Sequence, residues 1–227
     1  MMIDLVIDTS AGTSVAVVEG EKVVRKRSGS NREHAEKLSP LVQEALEEVG
    51  VEPGQIHAKL RQIIVGTGPA PFTGLRSGLV TARAMGFAAD LPVRGVCSLD
   101  IYAREYLDNM SADQDLVVVT DARRKEVYWA HYRASGPDDV TQVEGPAVDL
   151  PQSVANRFSS GTTVFAGPAC ELYPQVFDSP VSTSVIDPAV AARIVCARLE
   201  AGLLHFDTEP LYLRRPDIHP GHGQKTA

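Results

Sequence analysis

A ridge of small residues constrains the fold of this chain more than any other stretch of its sequence. An apolar run at 62–65, typical of a buried strand, leads into a corner with two prolines. Small residues then recur at every fourth position, at Gly74, Gly78, Ala82 and Gly86. On a helix these positions share one ridge, so another backbone can approach it closely. Each glycine weakens a helix by up to about 1 kcal/mol relative to alanine, so close packing has to offset that loss.

The residues leave two interpretations of this ridge open. In the first, the predicted helix over 72–89 packs tightly on the chain's own sheet. In the second, the ridge is a docking face for another helix or another protein. We favour the second interpretation, in which the ridge is half of a docking surface and the helix that contains Leu38 is the other half. An earlier amphipathic helix begins with a capping box at 30–33 and contains Pro40, which predicts a kink or a missing hydrogen bond. Its apolar positions recur at helical spacing, at Leu38, Leu41, Val42, Ala45, Leu46 and Val49.

The start of the chain predicts a strand that ends in a polar turn. The buried run at 3–7 is followed by Asp8, Thr9, Ser10 and Gly12, and two further strand-like runs form a hairpin. A carboxylate and hydroxyls at a strand end, with a glycine that admits a close backbone, can hold a metal-bridged phosphate. These residue types are equally typical of an ordinary turn. The four residues are therefore candidates for a nucleotide or anion site.

The second half of the chain repeats this opening pattern, which suggests an internal duplication. A strand at 116–120 leads into a turn that starts at Asp121, and an alternating strand follows at 126–132. This turn contains Arg123, Arg124 and Lys125 and no glycine, so it lacks the backbone cradle that a phosphate clamp requires. Ahead of this second half, a short strand at 92–96 leads into a third helix, which Ser98 can cap and which extends to Leu107. A strand and turn at 164–168, a helix at 188–200 and an extended segment at 210–214 complete the prediction.

The order of elements predicts an α/β protein with an actin-like ATPase (ribonuclease H-like, ASKHA) fold. It has two lobes, and the second lobe is reduced. The first lobe covers 1–107, the second covers 108–206, and 207–227 is a C-terminal segment whose end we expect to be frayed.

Composition excludes several classes of protein. A net charge of −7 argues against a chain that grips nucleic acid by itself. The three cysteines have no metal-binding or disulfide spacing, the N-terminus lacks the basic start of a signal peptide, and no apolar run is long enough to span a membrane. We therefore expect a cytoplasmic protein. His34 has Leu38 four residues later rather than a second histidine, and His219 and His222 lie on no predicted element, so no metal site is predicted.

Six short motifs together resemble those of the TsaB (YeaZ) family, from the first strand to about Pro216. The most specific is the phenylalanine–threonine–glycine–leucine–arginine run at 72–76, which follows Gly68 and Pro69. The others are Asp8 with Thr9 and Ser10; His34 with Leu38 and Pro40; Gly95 and Val96 with Ser98 and Leu99; Asp121 to Arg124 with Glu126, Val127 and Tyr128; and Tyr212 with Leu213 and Arg214.

The resemblance implies a non-catalytic scaffold in the synthesis of N6-threonylcarbamoyladenosine beside the tRNA anticodon. It implies a heterodimer with the catalytic paralogue TsaD through the first two helices, the ATPase TsaE as a further partner, a homodimer when the chain is alone, and only indirect contact with tRNA. No cofactor is required, and ATP or ADP with magnesium at a subunit interface is left open. The implied partner-binding residues are His34, Leu38, Leu41, Ala45, Thr73, Gly74, Arg76, Ser77, Gly78, Ala82 and Met85.

Four positions, in three places, depart from the family pattern. Ala70 and Pro71 stand where glycine and serine are usual, Lys125 replaces a glycine, and Ala35 replaces a serine or threonine. The first two changes weaken any nucleotide-binding interpretation. The alternatives are a small-molecule kinase or ATPase, which needs a glycine-rich second turn, and a glycoprotease-like metalloenzyme, which needs a histidine pair on the first helix. Whether the cations of the second turn contact tRNA or only solvent is left open.

Overall fold

The chain folds into two mixed β-sheets with helices on their faces. The computed structural model describes residues 2–28, 34–110, 114–159, 163–177 and 186–214, and the side chains of 34–36 lie outside this description. The described strands are β1 Ile3–Asp8, β2 Thr13–Glu19, β3 Lys22–Ser28, β4 Leu60–Gly66, β5 Val93–Val96, β6 Leu116–Asp121, β7 Val127–Ser135, β8 Asp139–Asp149 and β9 Val164–Ala166. The described α-helices are α1 His34–Glu48, α2 Ile56–Lys59, α3 Phe72–Ala89, α4 Ser98–Leu107, α5 Pro151–Arg157, α6 Ala169–Leu172 and α7 Ala189–Glu200.

The strands of the two sheets are arranged in equivalent orders. The first sheet runs β3-β2-β1-β4-β5 and the second runs β8-β7-β6-β9. In each sheet the first strand pairs antiparallel with the next strand and parallel with a later one: β1 with β2 and β4, and β6 with β7 and β9. This order agrees with the predicted internal duplication. Within the described ranges the second sheet has one strand fewer, so the second lobe is reduced as predicted.

Both faces of the first sheet are covered, which explains why its central strands are apolar without alternation. Every residue of β1 is buried. Leu5 and Ile7 lie in the core beneath α1 and α3, whereas Val6 belongs to the core on the opposite face. α1 and α3 contact each other on the first of these faces. The two helices therefore form one outer layer of the first lobe.

The opposite face of the first sheet is covered by α7, which comes from the end of the chain. Ile194 and Val195 of this helix share a core with Val6 and Ile64 of the first sheet. The same core includes Tyr132 of β7, so it extends into the second lobe. A third core, which includes Trp129, lies on the far side of the second sheet. The middle core thus joins the two lobes.

Most predicted elements are present, with a few local differences. β8 and α5 were not predicted. α1 continues through Pro40 as a single helix, and its predicted capping box at 30–33 lies outside the described residues. Ser98 was expected to cap α4, but it is the first residue of that helix, and the N-cap position is Cys97 without a side-chain hydrogen bond. The division of the chain at 107 and 206 stays a prediction.

Candidate functional site

Asp8 ends β1 with both carboxylate oxygens engaged by the chain itself. Oδ1 accepts hydrogen bonds from the backbone N–H and the hydroxyl of Ser10, at 2.8 and 2.6 Å. Oδ2 accepts one from the hydroxyl of Ser98 at 2.6 Å. Asp8 is fully buried, and a Cβ at Gly66 would overlap its Oδ2, so this glycine makes room for the carboxylate. The acid therefore ties the ends of β1 and β4 to α4.

The ridge of small residues on α3 packs against the chain's own first sheet. A Cβ at Gly78 would overlap Oγ1 of Thr9 and lie 3.2 Å from its Cγ2. A Cβ at Gly86 would overlap the side chain of Val93 on β5. Gly74 is buried as well. The interpretation of this ridge as a docking face is therefore wrong, because internal packing occupies it.

Burial also corrects the predicted set of partner-binding residues. Leu38 and Ala45 of α1 are 1% and 0% exposed, and Ala82 of α3 is 0% exposed. These three side chains point into the first lobe rather than towards a partner, and Gly74 and Gly78 are buried in the same layer. The other predicted residues lie at the surface. Thr73 and Arg76 are exposed, and Leu41, Ser77 and Met85 are half-buried. The side chain of His34 lies outside the described residues.

α3 carries a second line of residues, which we call the exposed stripe. It consists of Thr73, Ser77, Val80, Ala84 and Phe87, spaced alternately by four and three. This spacing keeps all five on one face of a helix. Val80 is 64% exposed and Phe87 is 91% exposed. The stripe therefore presents large apolar side chains on the outer face of the helix layer.

A groove between α1 and α3 flanks the exposed stripe. Its cavity is about 230 Å³ and is lined by Val42 and Leu46 from α1 and by Thr81 and Met85 from α3. Thr81 lies four residues after Ser77 of the stripe, and Met85 four residues after Thr81, so these residues are neighbours on the helix surface. Stripe and groove thus form one continuous surface made by both helices.

The C-terminal segment, residues 203–214, crosses the end of the first sheet and reaches α3. The N–H of Leu211 donates to the carbonyl of Thr67 at 2.9 Å. Arg83 of α3 donates to the carbonyl of Thr208 at 2.8 Å. A Cβ at Gly95 of β5 would overlap the carbonyl oxygen of Asp207, so the segment lies directly on this strand. The segment is therefore part of the first lobe's surface.

Near its end this segment forms a cluster with the start of α3, which we call the aromatic cluster. The rings of Phe72 and Tyr212 stack with centroids 5.1 Å apart. The guanidinium of Arg76 lies 3.7 Å from the centre of the Phe72 ring and donates to the hydroxyl of Tyr212 at 2.9 Å. Arg76 was predicted to contact a partner. It is exposed, but its guanidinium already binds the C-terminal segment.

A cleft of about 510 Å³ separates the two lobes at the carboxyl ends of β1 and β6. Thr9 and Phe72 line it from the first lobe, and Asp121 and Arg123 line it from the second. Arg123, Arg124 and Lys125 have φ values of 64°, 54° and 64°. Each L-residue in this left-handed region costs roughly 1–2 kcal/mol. We call these three residues the basic turn.

The buried ionisable groups behind the cleft hold the lobes together. Asp100 of α4 accepts hydrogen bonds from Tyr132 of β7 and from Arg198 of α7, both at 2.8 Å. Burial raises the pKa of Asp100, and the charge of Arg198 opposes that rise. Burial likewise raises the pKa of the Cys97 thiol well above its ordinary value, so this cysteine stays protonated and is a poor nucleophile. This network is structural.

The comparisons with known proteins place this geometry in a family. A family model described as "TsaD: tRNA N6-adenosine threonylcarbamoyltransferase" matches residues 26–212. The chain belongs to this family and is of the TsaB/YeaZ type. It is 32% identical to the tRNA threonylcarbamoyladenosine biosynthesis protein TsaB of Escherichia coli over 175 residues, which are 76% of this chain and 74% of that protein. Membership of the TsaB/YeaZ type supports a role in tRNA threonylcarbamoyladenosine biosynthesis.

A solved structure confirms the predicted fold of this family member. YeaZ from Pseudomonas aeruginosa superposes with a TM-score of 0.78 at 26% identity, covering 94% of this chain and all of that one. An uncharacterised protein of Mycobacterium leprae is 37% identical over 187 residues, which are 82% of this chain and 46% of that protein. The chain thus spans about half the length of that relative.

Sequence reasoning missed the exposed stripe and the aromatic cluster. The stripe's alternate spacing of four and three was readable from the sequence, but α3 is apolar on more than one side. Periodicity alone does not say which line of residues meets the sheet. The contact of Tyr212 with α3 spans 136 residues and has no local signal. Within the described ranges, no helix is long and apolar enough to cross a membrane.

Proposed function

We propose that this family member is a non-catalytic scaffold that pairs with the catalytic paralogue TsaD through α1 and α3. The observation that carries the proposal is the exposed stripe beside the groove. An aligned set of exposed apolar side chains is typical of a protein interaction site. Full burial of a side chain such as Val80 or Phe87 stabilises a complex by roughly 1.5–3 kcal/mol. These two residues are therefore the main anchors of the proposed interface.

The groove gives this interface its shape. A helix of the partner that lies in the groove contacts α1 and α3 together, so the two helices and two partner helices form a four-helix contact. The half-buried Leu41 and Met85 pack against the first lobe's core. They support this surface from beneath. In the absence of TsaD, a second copy of the chain occupies the same surface as a homodimer.

The proposal assigns no catalytic step and no cofactor to this chain. We place no magnesium-bound ATP in the cleft, because the carboxylate of Asp8 is fully buried and already accepts hydrogen bonds from Ser10 and Ser98. The opposing turn contains three cationic residues and no glycine, which disfavours the close backbone approach of a phosphate cradle. In this proposal the paralogue TsaD performs the transfer, and the ATPase TsaE supplies nucleotide hydrolysis as a separate subunit.

The test compares two charged substitutions on the stripe with a matched substitution elsewhere. Val80→Asp and Phe87→Asp place an unpaired carboxylate in the proposed interface, which costs several kcal/mol when it is buried. Val143→Asp is the control, because Val143 is 46% exposed on β8 of the second sheet. We expect both stripe variants to lose co-elution with TsaD and to stop tRNA modification in the reconstituted system. We expect the control to retain both.

Circular dichroism and thermal unfolding establish that each variant is folded. Full binding and modification by folded Val80→Asp and Phe87→Asp chains would contradict the proposed surface. Sustained ATP turnover by the purified chain alone would instead favour a kinase-like enzyme. The same variants test the homodimer, because loss of the stripe shifts the isolated chain to a monomer in analytical ultracentrifugation.

A further inference from the structure

The basic turn presents three cations in a backbone conformation that L-residues avoid. Arg123, Arg124 and Lys125 are all exposed. Among the other described residues, Asp90 is the one non-glycine with a positive φ. Glycine adopts this conformation without strain, yet none of the three positions is glycine. A cost in stability at three consecutive surface positions is explained when their side chains have a function.

The geometry of the turn favours an extended polyanion over a small anion. Consecutive residues in a helical turn project about 100° apart. The three side chains therefore diverge from the turn instead of converging on a single point. Diverging cations suit several phosphates spaced along a backbone, whereas a single phosphate or carboxylate requires donors that converge on it.

The aromatic cluster lies beside the basic turn. Arg123 and Phe72 line the same cleft from opposite lobes. Arg214 donates to the carbonyl of Ala122 at 3.3 Å and pairs with Glu126 at the end of the turn. Tyr212, only two residues earlier in the chain, stacks on Phe72. One surface therefore combines cations with exposed aromatic rings, as in proteins that bind single-stranded nucleic acid.

The local charge of this surface is opposite in sign to that of the whole chain. Among the residues that the structure describes, five cations lie on it against three carboxylates, whereas the whole chain carries a net charge of −7. Arg123 pairs with the carboxylate of Asp121 at 3.1 Å. The cations are Arg76, Arg123, Arg124, Lys125 and Arg214, and the carboxylates are Asp121, Glu126 and Glu171.

We propose that the basic turn and the aromatic cluster bind RNA, with the cations on the phosphates and the rings against an unpaired base. The tRNA of the modification pathway is the RNA we assign, and this identity rests on the proposed function. The basic turn belongs to the second lobe and so lies apart from Val80 and Phe87, the anchors of the exposed stripe. The aromatic cluster adjoins the first members of the stripe, Thr73 and Ser77, which line the same cleft. In this proposal the chain contacts tRNA directly. The family resemblance implied only indirect contact, and the sequence left open whether the basic turn meets tRNA or solvent.

The experiment measures binding of a fluorescently labelled, unmodified tRNA transcript by the full chain over a series of salt concentrations. The test variant is Arg124→Gln/Lys125→Gln. The matched control is Lys22→Gln/Lys59→Gln, which removes the same charge at the opposite end of the first sheet, near the start of β1. A plot of log affinity against log salt concentration has a negative slope. We expect this slope to be shallower for the test variant than for the unmodified chain, by roughly 0.7–0.9 for each phosphate that the variant no longer neutralises. The control leaves the slope unchanged.

Two further variants at one position separate charge from backbone strain. Lys125→Arg retains the cation, so we expect it to bind tRNA as the unmodified chain does. Lys125→Gly removes the cation and relieves the positive φ, so we expect a higher melting temperature together with weaker binding. Stronger or equal binding by Lys125→Gly would contradict the proposal, since it would show that the cation at this position has no role.

The proposal is overturned if the test and control variants bind tRNA equally, or if the unmodified chain binds none, both alone and with TsaD. Polyglutamate and unlabelled RNA are also compared as competitors of the labelled tRNA. If polyglutamate displaces the tRNA as well as RNA does, and the Tyr212→Ala variant binds tRNA normally, the surface is a site for an acidic protein and the RNA assignment is wrong. Complex formation with TsaD is scored separately by co-elution. A failure of the scaffold proposal therefore remains distinguishable from a failure of RNA binding.

Discussion

At the scale of single residues, the contact between Gly78 and Thr9 decides which face of α3 is buried. Thr9 is 1% exposed, and its hydroxyl has no hydrogen-bond partner among the described residues. The missing side chain at Gly78 is the space into which this hydroxyl fits. Sequence spacing showed that something approaches the ridge closely, but it could not show that the approaching group is the chain's own polar turn.

We predict that Gly78→Ala destabilises the fold and that Thr9→Ala relieves the loss. The added methyl overlaps Oγ1 and crowds Cγ2 of Thr9, and overpacking of this kind costs about 1–3 kcal/mol. With alanine at position 9 both atoms are gone, and the remaining Cβ lies at an ordinary contact distance of 3.4 Å. Urea unfolding of the two single variants and the double variant measures this coupling. An equal penalty for Gly78→Ala in both backgrounds would contradict the contact.

A second residue-scale prediction concerns Glu105, whose carboxylate accepts a hydrogen bond from the N–H of Asp187 at 3.1 Å. Burial raises the pKa of Glu105. The charges of Asp187 and Asp108 add to this rise, while the hydrogen bond and the charge of Arg27 oppose it. The folded state therefore holds a proton that the unfolded state releases near its ordinary pKa of about 4.3. The stabilisation that this bound proton provides is therefore lost as the pH rises from the pKa of Glu105 in the unfolded chain to its higher pKa in the folded chain.

Glu105→Gln removes this titration and retains an oxygen that accepts the Asp187 hydrogen bond. The variant should therefore gain free energy of unfolding relative to the unmodified chain as the pH rises from about 4 to about 7. The difference between the two proteins is the quantity to follow, because other acids, such as Asp108 and Asp115, have lowered pKa values and shift both proteins alike. A difference that stays constant with pH would show that Glu105 has the same pKa in both states.

At the scale of elements, long periodic segments were predictable and short or irregular ones were not. α3 spans the predicted 72–89, and α4 ends at the predicted Leu107 but begins at Ser98, which was expected to cap it. Apolar periodicity marks both helices, and a proline corner precedes α3. β8 alternates poorly, has a Gly145-Pro146 step and is largely exposed, so its sequence lacks a strand pattern. α5 has only seven residues. Pairing with β7, rather than local propensity, makes β8 a strand.

The candidate site was predictable only in part for the same reason. Periodicity identified α1 and α3 as the helices of interest, and the family resemblance gave them a role. Periodicity could not show which face of each helix is buried, because α3 has apolar or small residues on both its sheet side and its outer side. Tertiary packing determines the orientation of α3: Leu75 and Leu79 are buried together with the ridge, and Val80 and Phe87 are exposed.

At the scale of the whole molecule, the last helix completes the first lobe. α7 covers the face of the first sheet that contains Val6, Ala16 and Ile64. All three residues are fully buried. The predicted lobe boundary at 107 therefore does not separate two independent cores, although the sheets themselves divide there.

We predict that the fragment 1–107 does not unfold cooperatively on its own. Without α7, the apolar face of its sheet is exposed to water, and the missing burial amounts to about 25 cal/mol per Å² of apolar surface. Thermal unfolding followed by circular dichroism, together with binding of a hydrophobic dye, measures the effect, and the full chain serves as the reference. A sharp unfolding transition for the fragment, at a temperature close to that of the full chain, would contradict this prediction.

The contact between Gly95 and Asp207 has a consequence for how the chain changes over evolutionary time. Any side chain at position 95 would occupy the place of the Asp207 carbonyl, so it would lift the C-terminal segment from β5. The same segment binds Arg83 on α3 and, through Arg214, the turn of the second lobe. We therefore expect relatives that retain the segment to retain glycine at position 95. In relatives without the segment, we expect other residues at this position, and an alignment of such relatives checks both expectations.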